Sequence, residues 1–197
     1  MTTDAIAHEF LWLDLETTGL INAKPGGLYA FGDDAGHILE FAAVLAADDR
    51  AGDLSVVQAY EGAVHYDAPE AFAMDPFVLK MHTDNGLFAD CRASTISLAD
   101  ADEFLYGLCC ELAGNKRPRG ITLAGNSVHF DLQWVRVHMP LFASALHHRV
   151  FDVSTLQRAA MINVEGYEPL RANAHRALDD LYQSLAAYKA WREAVGL

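Results

Sequence analysis

The chain has 197 residues, of which 52% are hydrophobic, enough for one domain with a substantial core. Its formal net charge of −13, from 27 acidic against 14 basic side chains, argues against a protein that grips long duplex DNA by phosphate neutralisation. It has no long apolar run of membrane-spanning length, no leader-like start in Met1-Thr2-Thr3-Asp4 and no Cys-x-x-Cys spacing among its three cysteines. The expectation is a cytoplasmic protein without membrane contact, in which Cys91, Cys109 and Cys110 are core residues.

Phe10-Leu11-Trp12-Leu13-Asp14-Leu15-Glu16-Thr17-Thr18-Gly19-Leu20 reads as a buried strand that ends in a turn. Residues two apart on a strand face the same way, which sets the carboxylates of Asp14 and Glu16 side by side, roughly 6–7 Å apart along the backbone. Like charges this close repel unless a cation sits between them, and hard divalent ions take oxygen ligands of this kind. An isolated Asp-x-Glu is more often a solvated strand terminus, so the other residues around this one decide its meaning.

Ile21 to Gly36, with Pro25-Gly26-Gly27, carries no sustained period and reads as a long excursion. Ile38 to Leu45 and Leu54 to His65 follow as two strands joined closely enough to pair antiparallel. Asp75-Pro76 opens a short helix that ends at Asn85-Gly86, and Leu98, Ala101, Leu105, Leu108 and Leu112 mark an amphipathic one. Ile121 to Asn126 is a further strand.

Ser127 to Met139 reads as a helix with Val128, Leu132, Val135 and Met139 inward and Asn126 or Ser127 as its N-cap. Arg149 to Asp152 reads as a short strand, Val153 to Ala160 as a short helix, and Ala174 to Ala194 as the last helix. In that last helix Asp179 and Asp180 fall on opposite flanks of the apolar stripe, and periodicity leaves open which one faces a site.

This order of strands and helices indicates a single α/β domain with a mixed sheet, where ligands gather at strand ends. Asp14 and Glu16, Asp131 on the following helix, and His175 with an acid at the start of the last helix are then expected to converge.

Three stretches, Asp14-Leu15-Glu16-Thr17-Thr18-Gly19-Leu20, Gly125-Asn126-Ser127 with Asp131, and His175-Arg176-Ala177-Leu178-Asp179-Asp180, resemble the three motifs of the DEDDh 3′→5′ exonucleases, the oligoribonucleases above all. Met81-His82-Thr83, Gly86-Leu87 and Asp152-Val153-Ser154-Thr155-Leu156 resemble the same family's connecting segments. The resemblance implies a ribonuclease H-like mixed β-sheet flanked by α-helices, spanning residues 1–197 as one exonuclease domain, and a homodimer. It selects Asp180 over Asp179. It implies that Asp14, Glu16, Asp131 and Asp180 hold two divalent cations, Mg²⁺ or Mn²⁺, and that His175 is the general base.

The substrate implied is short single-stranded RNA, dinucleotides included, cut to nucleoside 5′-monophosphates. Leu20 and Phe77 match positions that wedge the terminal bases, Thr17 and His82 are further candidates for substrate binding, and Ser127, Arg149 and Ser154 match positions that cap the far phosphate. The chain departs from the family's pattern at Phe77, where tryptophan is usual, at His148, where tyrosine is usual, at Phe130, and in the longer excursion Asn22 to Gly36, read as bordering the substrate mouth. The competing readings are a 3′→5′ exonuclease for longer single-stranded DNA or RNA and a noncatalytic nucleotide-binding module.

Overall fold

In the computed structural model, residues 10–19, 36–48, 54–114, 118, 120–170 and 175–197 are described. Leu20 and nearly all of the Asn22 to Gly36 excursion lie outside them. Five strands form one sheet: β1 (Phe10–Thr17), β2 (Ile38–Asp48), β3 (Leu54–Ala63), β4 (Ile121–Gly125) and β5 (Leu146–Asp152), in the spatial order β3-β2-β1-β4-β5. The first three pair antiparallel, whereas β4 lies parallel to β1 and β5 parallel to β4.

The helices are α1 (Pro76–Asp84), α2 (Leu87–Ala93), α3 (Leu98–Leu112), α4 (His129–His138), α5 (Pro140–Ala143), α6 (Val153–Asn163) and α7 (Ala177–Val195), with a 3₁₀ turn at Pro69–Ala71. No described helix is long and apolar enough to cross a membrane.

Strand alternation divides β1 between two cores. Leu11, Leu13 and Leu15 face a layer that includes Leu105 and Leu108 of α3, Leu132 and Val135 of α4, and Phe142 of α5. Trp12 faces the other side, with Ala42, Val44, Val153, Leu181 and Leu185, which are contributed by β2, α6 and α7. The strand is thus covered on both faces over its first half. Cys91 and Cys109 are buried, Cys110 is half-buried, and all three are free thiols.

Three local expectations change. The last helix begins at Ala177, because His175 takes a left-handed backbone (φ 53°) and Arg176 an extended one. The N-cap of α4 is Val128, without a side-chain cap, because Ser127 is also left-handed (φ 57°) and lies outside the helix. The short helices α2 and α5, of seven and four residues, had no sequence signal because so few residues establish no period.

Candidate active site

β1 and β4 run so close that a Cβ on Gly125 would lie 2.7 Å from the Leu13 carbonyl oxygen. The pairing of these strands stops at Trp12 and Ala124, so the end of β1 runs on beyond β4. An amide at such an overhang needs another acceptor. Asp131, in the first turn of α4, provides it: the Leu15 N–H donates to Asp131 Oδ1 at 3.0 Å. That bond fixes Asp131 against the segment that carries the first two acids.

Asp14 and Glu16 project from the Trp12 side of β1, toward the start of α7, where Asp180 is buried and Asp179 exposed. Carboxylate oxygens of Asp14, Glu16 and Asp180 lie within 4.8 Å of one another. Asp131 stands outside this tight trio but is its electrostatic neighbour. Burial, then repulsion from Asp131, Glu16 and Asp180, pushes Asp14 well above the ordinary carboxylate range. Burial, with Asp180, Glu40 and Asp131, pushes Glu16 up to about 8. Burial pushes Asp131 up to about 8 as well, against the opposing effect of its backbone hydrogen bonds. An oxygen-only donor set with this much unfavourable negative charge fits hard divalent cations, which Asp14, Glu16 and Asp180, with Asp131 beside them, could hold.

His175 is half-buried at the rim, and its backbone N–H donates to Asp180 Oδ2 at 3.0 Å. Beside it lies an open depression of about 450 Å³ lined by Phe77, Lys80, Met81, Asp84, Asn85 and His175. Phe77 is 68% exposed and belongs to no core, although α1 itself is amphipathic enough to have hidden it. The cavity therefore joins an available aromatic face to the histidine.

The other expected contacts fall in different places. His82 is fully buried, which removes it from the surface that a substrate would touch. Its Nε2 lies 3.0 Å from the Thr17 carbonyl oxygen and 3.9 Å from Glu16 Oε2, so it supports the carboxylate-bearing strand β1 from beneath. Burial lowers its pKa, which favours a neutral ring donating to Thr17. The Thr17 hydroxyl donates to the Gly19 carbonyl at 2.8 Å and so closes the turn.

Ser127 and Ser154 are brought together through Asp152. Its Oδ1 accepts from the Ser127 amide at 2.9 Å, the Ser154 amide at 2.9 Å and the Ser154 hydroxyl at 2.6 Å. Its Oδ2 meets His129 Nδ1 at 3.1 Å. Arg149 is exposed on the edge strand β5, and its guanidinium makes no hydrogen bond among the described residues.

One charged residue at this site had not been assigned a role from sequence. Glu40 is 2% exposed on β2, directly across from Glu16. It accepts from Arg176 and from the Ala177 amide at the start of α7. The signal was a single acid inside the otherwise apolar run Ile38 to Leu45.

A mixed five-stranded sheet with helices on both faces and a carboxylate cluster beside its middle strand is a ribonuclease H-like α/β fold whose clustered acids could hold divalent metal. The same architecture is found in Pop2p of S. pombe, solved in an Mg²⁺- and Mn²⁺-bound form, which superposes with a TM-score of 0.64 over 94% of this chain and 83% of that one. At 15% identity, that likeness concerns the fold.

The RNase T exonuclease family model matches residues 11–188, and the chain belongs to this exonuclease family. It is 34% identical to an oligoribonuclease of Corynebacterium diphtheriae, covering 93% of this chain and 81% of that protein. It is 31% identical to a probable oligoribonuclease of Dictyostelium discoideum, covering 96% and 91%.

Proposed function

We propose that this exonuclease is a metal-dependent 3′→5′ exoribonuclease that degrades short oligoribonucleotides, dinucleotides included, to nucleoside 5′-monophosphates. The observation that supports this reading best is the convergence of Asp14, Glu16 and Asp180 within 4.8 Å, beside Asp131 and under His175. The relatives' names point to short RNA as the substrate class.

Two divalent cations bound by these carboxylates would supply a nucleophilic water at neutral pH and charge neutralisation at the scissile phosphate. The protein's own part is placement. Phe77 offers a ring on which the terminal base stacks, at the cavity that reaches His175. A ring nitrogen of His175 takes the proton of the attacking water as general base. The new P–O bond forms as the P–O3′ bond breaks, so the terminal nucleotide leaves with its 5′-phosphate.

Ser127 and Ser154, ordered by Asp152, with Arg149 from the edge strand, are the candidates for the phosphate at the far end. The Arg149 guanidinium makes no hydrogen bond among the described residues, so it is available to a phosphate, and a homodimer in the cytoplasm is part of this reading. Leu20 keeps its proposed place at the terminal base. The net charge of −13 also suits a short substrate held locally better than a long polyanion.

The test is a timed digestion of a 5′-labelled RNA dinucleotide, an RNA heptamer and a single-stranded DNA of about twenty nucleotides. Each is incubated with Mn²⁺ or with chelator, using the wild-type protein and Asp14→Ala. The expected result is rapid, chelator-sensitive loss of the dinucleotide and background rates for the variant. Preferential trimming of the longer DNA would replace the substrate, and wild-type turnover by Asp14→Ala would refute the site.

A further inference from the structure

His175 occupies a backbone conformation (φ 53°) that a β-carbon disfavours, at the point where the chain enters α7. A strained residue of this kind persists only where its surroundings over-determine it. Here three sides do so. Asp180 accepts from its amide at 3.0 Å, and Asn85, at the end of α1, donates through Nδ2 to its carbonyl oxygen at 2.6 Å. The third anchor is the next residue, Arg176.

Arg176 places its guanidinium between two elements. Nε and a terminal nitrogen donate to Glu40 Oε1 at 3.1 and 2.7 Å, and the same terminal nitrogen donates to Asp90 Oδ2 of α2 at 2.8 Å. The other oxygen of Glu40 takes the Ala177 amide at 2.9 Å, doing for the first turn of α7 what an N-cap side chain usually does. Glu40 stands directly across from Glu16 in the antiparallel register, an arrangement that like charges destabilise unless a cation compensates one of them. Arg176 is that cation.

We infer that the Glu40–Arg176–Asp90 triad is a positioning device. It locks the start of α7 onto β2 and α2, and so holds the His175 ring and the Asp180 carboxylate in register with Asp14 and Glu16. None of the three triad members is assigned to metal or substrate; each acts through its neighbours. Lysine in place of Arg176 keeps the charge but loses the fork that spans both carboxylates. The geometry of α7 entry then relaxes while the base-stacking surface at Phe77, on a separate helix, is untouched.

This inference rests on the reading of His175 as base and Asp180 as ligand, and the experiment separates the two. Arg176→Lys, Glu40→Gln and Asp90→Asn are compared with wild type and His175→Ala by dinucleotide turnover. Mn²⁺ affinity is measured by spin-resonance titration, and melting temperature without metal. For Arg176→Lys and Glu40→Gln, kcat should fall about 10- to 100-fold and Mn²⁺ binding weaken by a similar factor, as for lost supporting contacts behind a metal ligand. KM should stay within about threefold.

Asp90→Asn removes a half-exposed outer arm and should lower kcat about three- to tenfold with little change in melting temperature. Loss of stability alone, with wild-type kcat and Mn²⁺ affinity in the folded variants, overturns the inference. If the buried Glu40→Gln fails to fold, Asp90→Asn and Arg176→Lys decide it. Full turnover by His175→Ala would instead refute the base, and Mn²⁺ affinity would still judge the positioning of Asp180.

Discussion

Phe77 and His82 lie five positions apart on α1 and illustrate how differently two residues of one helix can serve one site. Phe77 is 68% exposed and His82 fully buried. Phe77→Ala should leave stability within about 0.5 kcal/mol, because the ring is mostly exposed and belongs to none of the core clusters of the described residues. It should raise KM for the dinucleotide about tenfold or more, the loss of one base stack. His82→Ala should do the reverse in stability, costing about 2–4 kcal/mol through a cavity and an unpaired Thr17 carbonyl. Denaturant melts and Michaelis profiles of both variants check this pair, and a destabilised Phe77→Ala with unchanged KM would refute the assignment. At this scale the sequence showed what chemistry was available but not where each side chain lay. His82 belongs to a stretch that matches the family, yet only packing against Phe88 and the end of β1 shows that it faces inward.

Elements were more legible than their junctions. The stripes of α3 and α4 and the alternation of β1 are long enough to establish a period, and the Ser97–Asp100 capping box that starts α3 is local chemistry. The capped start of α1 at Asp75 is local as well. The entry to α7 is not: its amide acceptor, Glu40, is 137 residues away in sequence, so no local pattern could place the helix start or prefer Asp180 to Asp179. Motif resemblance, rather than periodicity, picked Asp180, which is buried where Asp179 is exposed. A junction that proximity does constrain is Gly125, where β4 meets the carboxylate-bearing strand β1. Gly125→Ala would put a Cβ at 2.7 Å from the Leu13 carbonyl and 3.2 Å from the Val128 Cβ. It should cost about 1–3 kcal/mol as overpacking and reduce turnover by displacing Asp14 relative to Asp131. A Tm and kcat like those of wild type would mean that β1 and β4 separate freely.

Across the whole molecule, the acidic charge is not only a solubility feature, because Asp14, Glu16, Glu40, Asp131 and Asp180 concentrate part of it where the sheet and α7 meet. Without metal, that concentration makes stability fall with rising pH. Glu16 and Asp131, whose ordinary values are 4.5 and 3.8, are both pushed up to about 8 in the folded chain, and Asp14 is raised as well. The folded state therefore binds more protons than the unfolded one between these limits. Their contribution is fully present below pH about 4 and is lost as pH rises through about 8. Asp152 acts the other way: burial opposes its charge, but hydrogen bonds from Ser154, His129 and Ser127 outweigh it and hold its pKa down. The stability it adds is lost only as pH falls below the ordinary aspartate range, outside the window set by the other three. In chelator, Tm should therefore drop by about 5 °C or more between about pH 5 and pH 8. Millimolar Mn²⁺ should recover it, and recover more at the upper pH, since binding needs the carboxylates ionised. Calorimetry with and without chelator at both pH values measures the effect directly. A Tm that is flat in pH without metal, or a Mn²⁺ shift that is larger at the acid end, would show that the carboxylates do not share one electrostatic site.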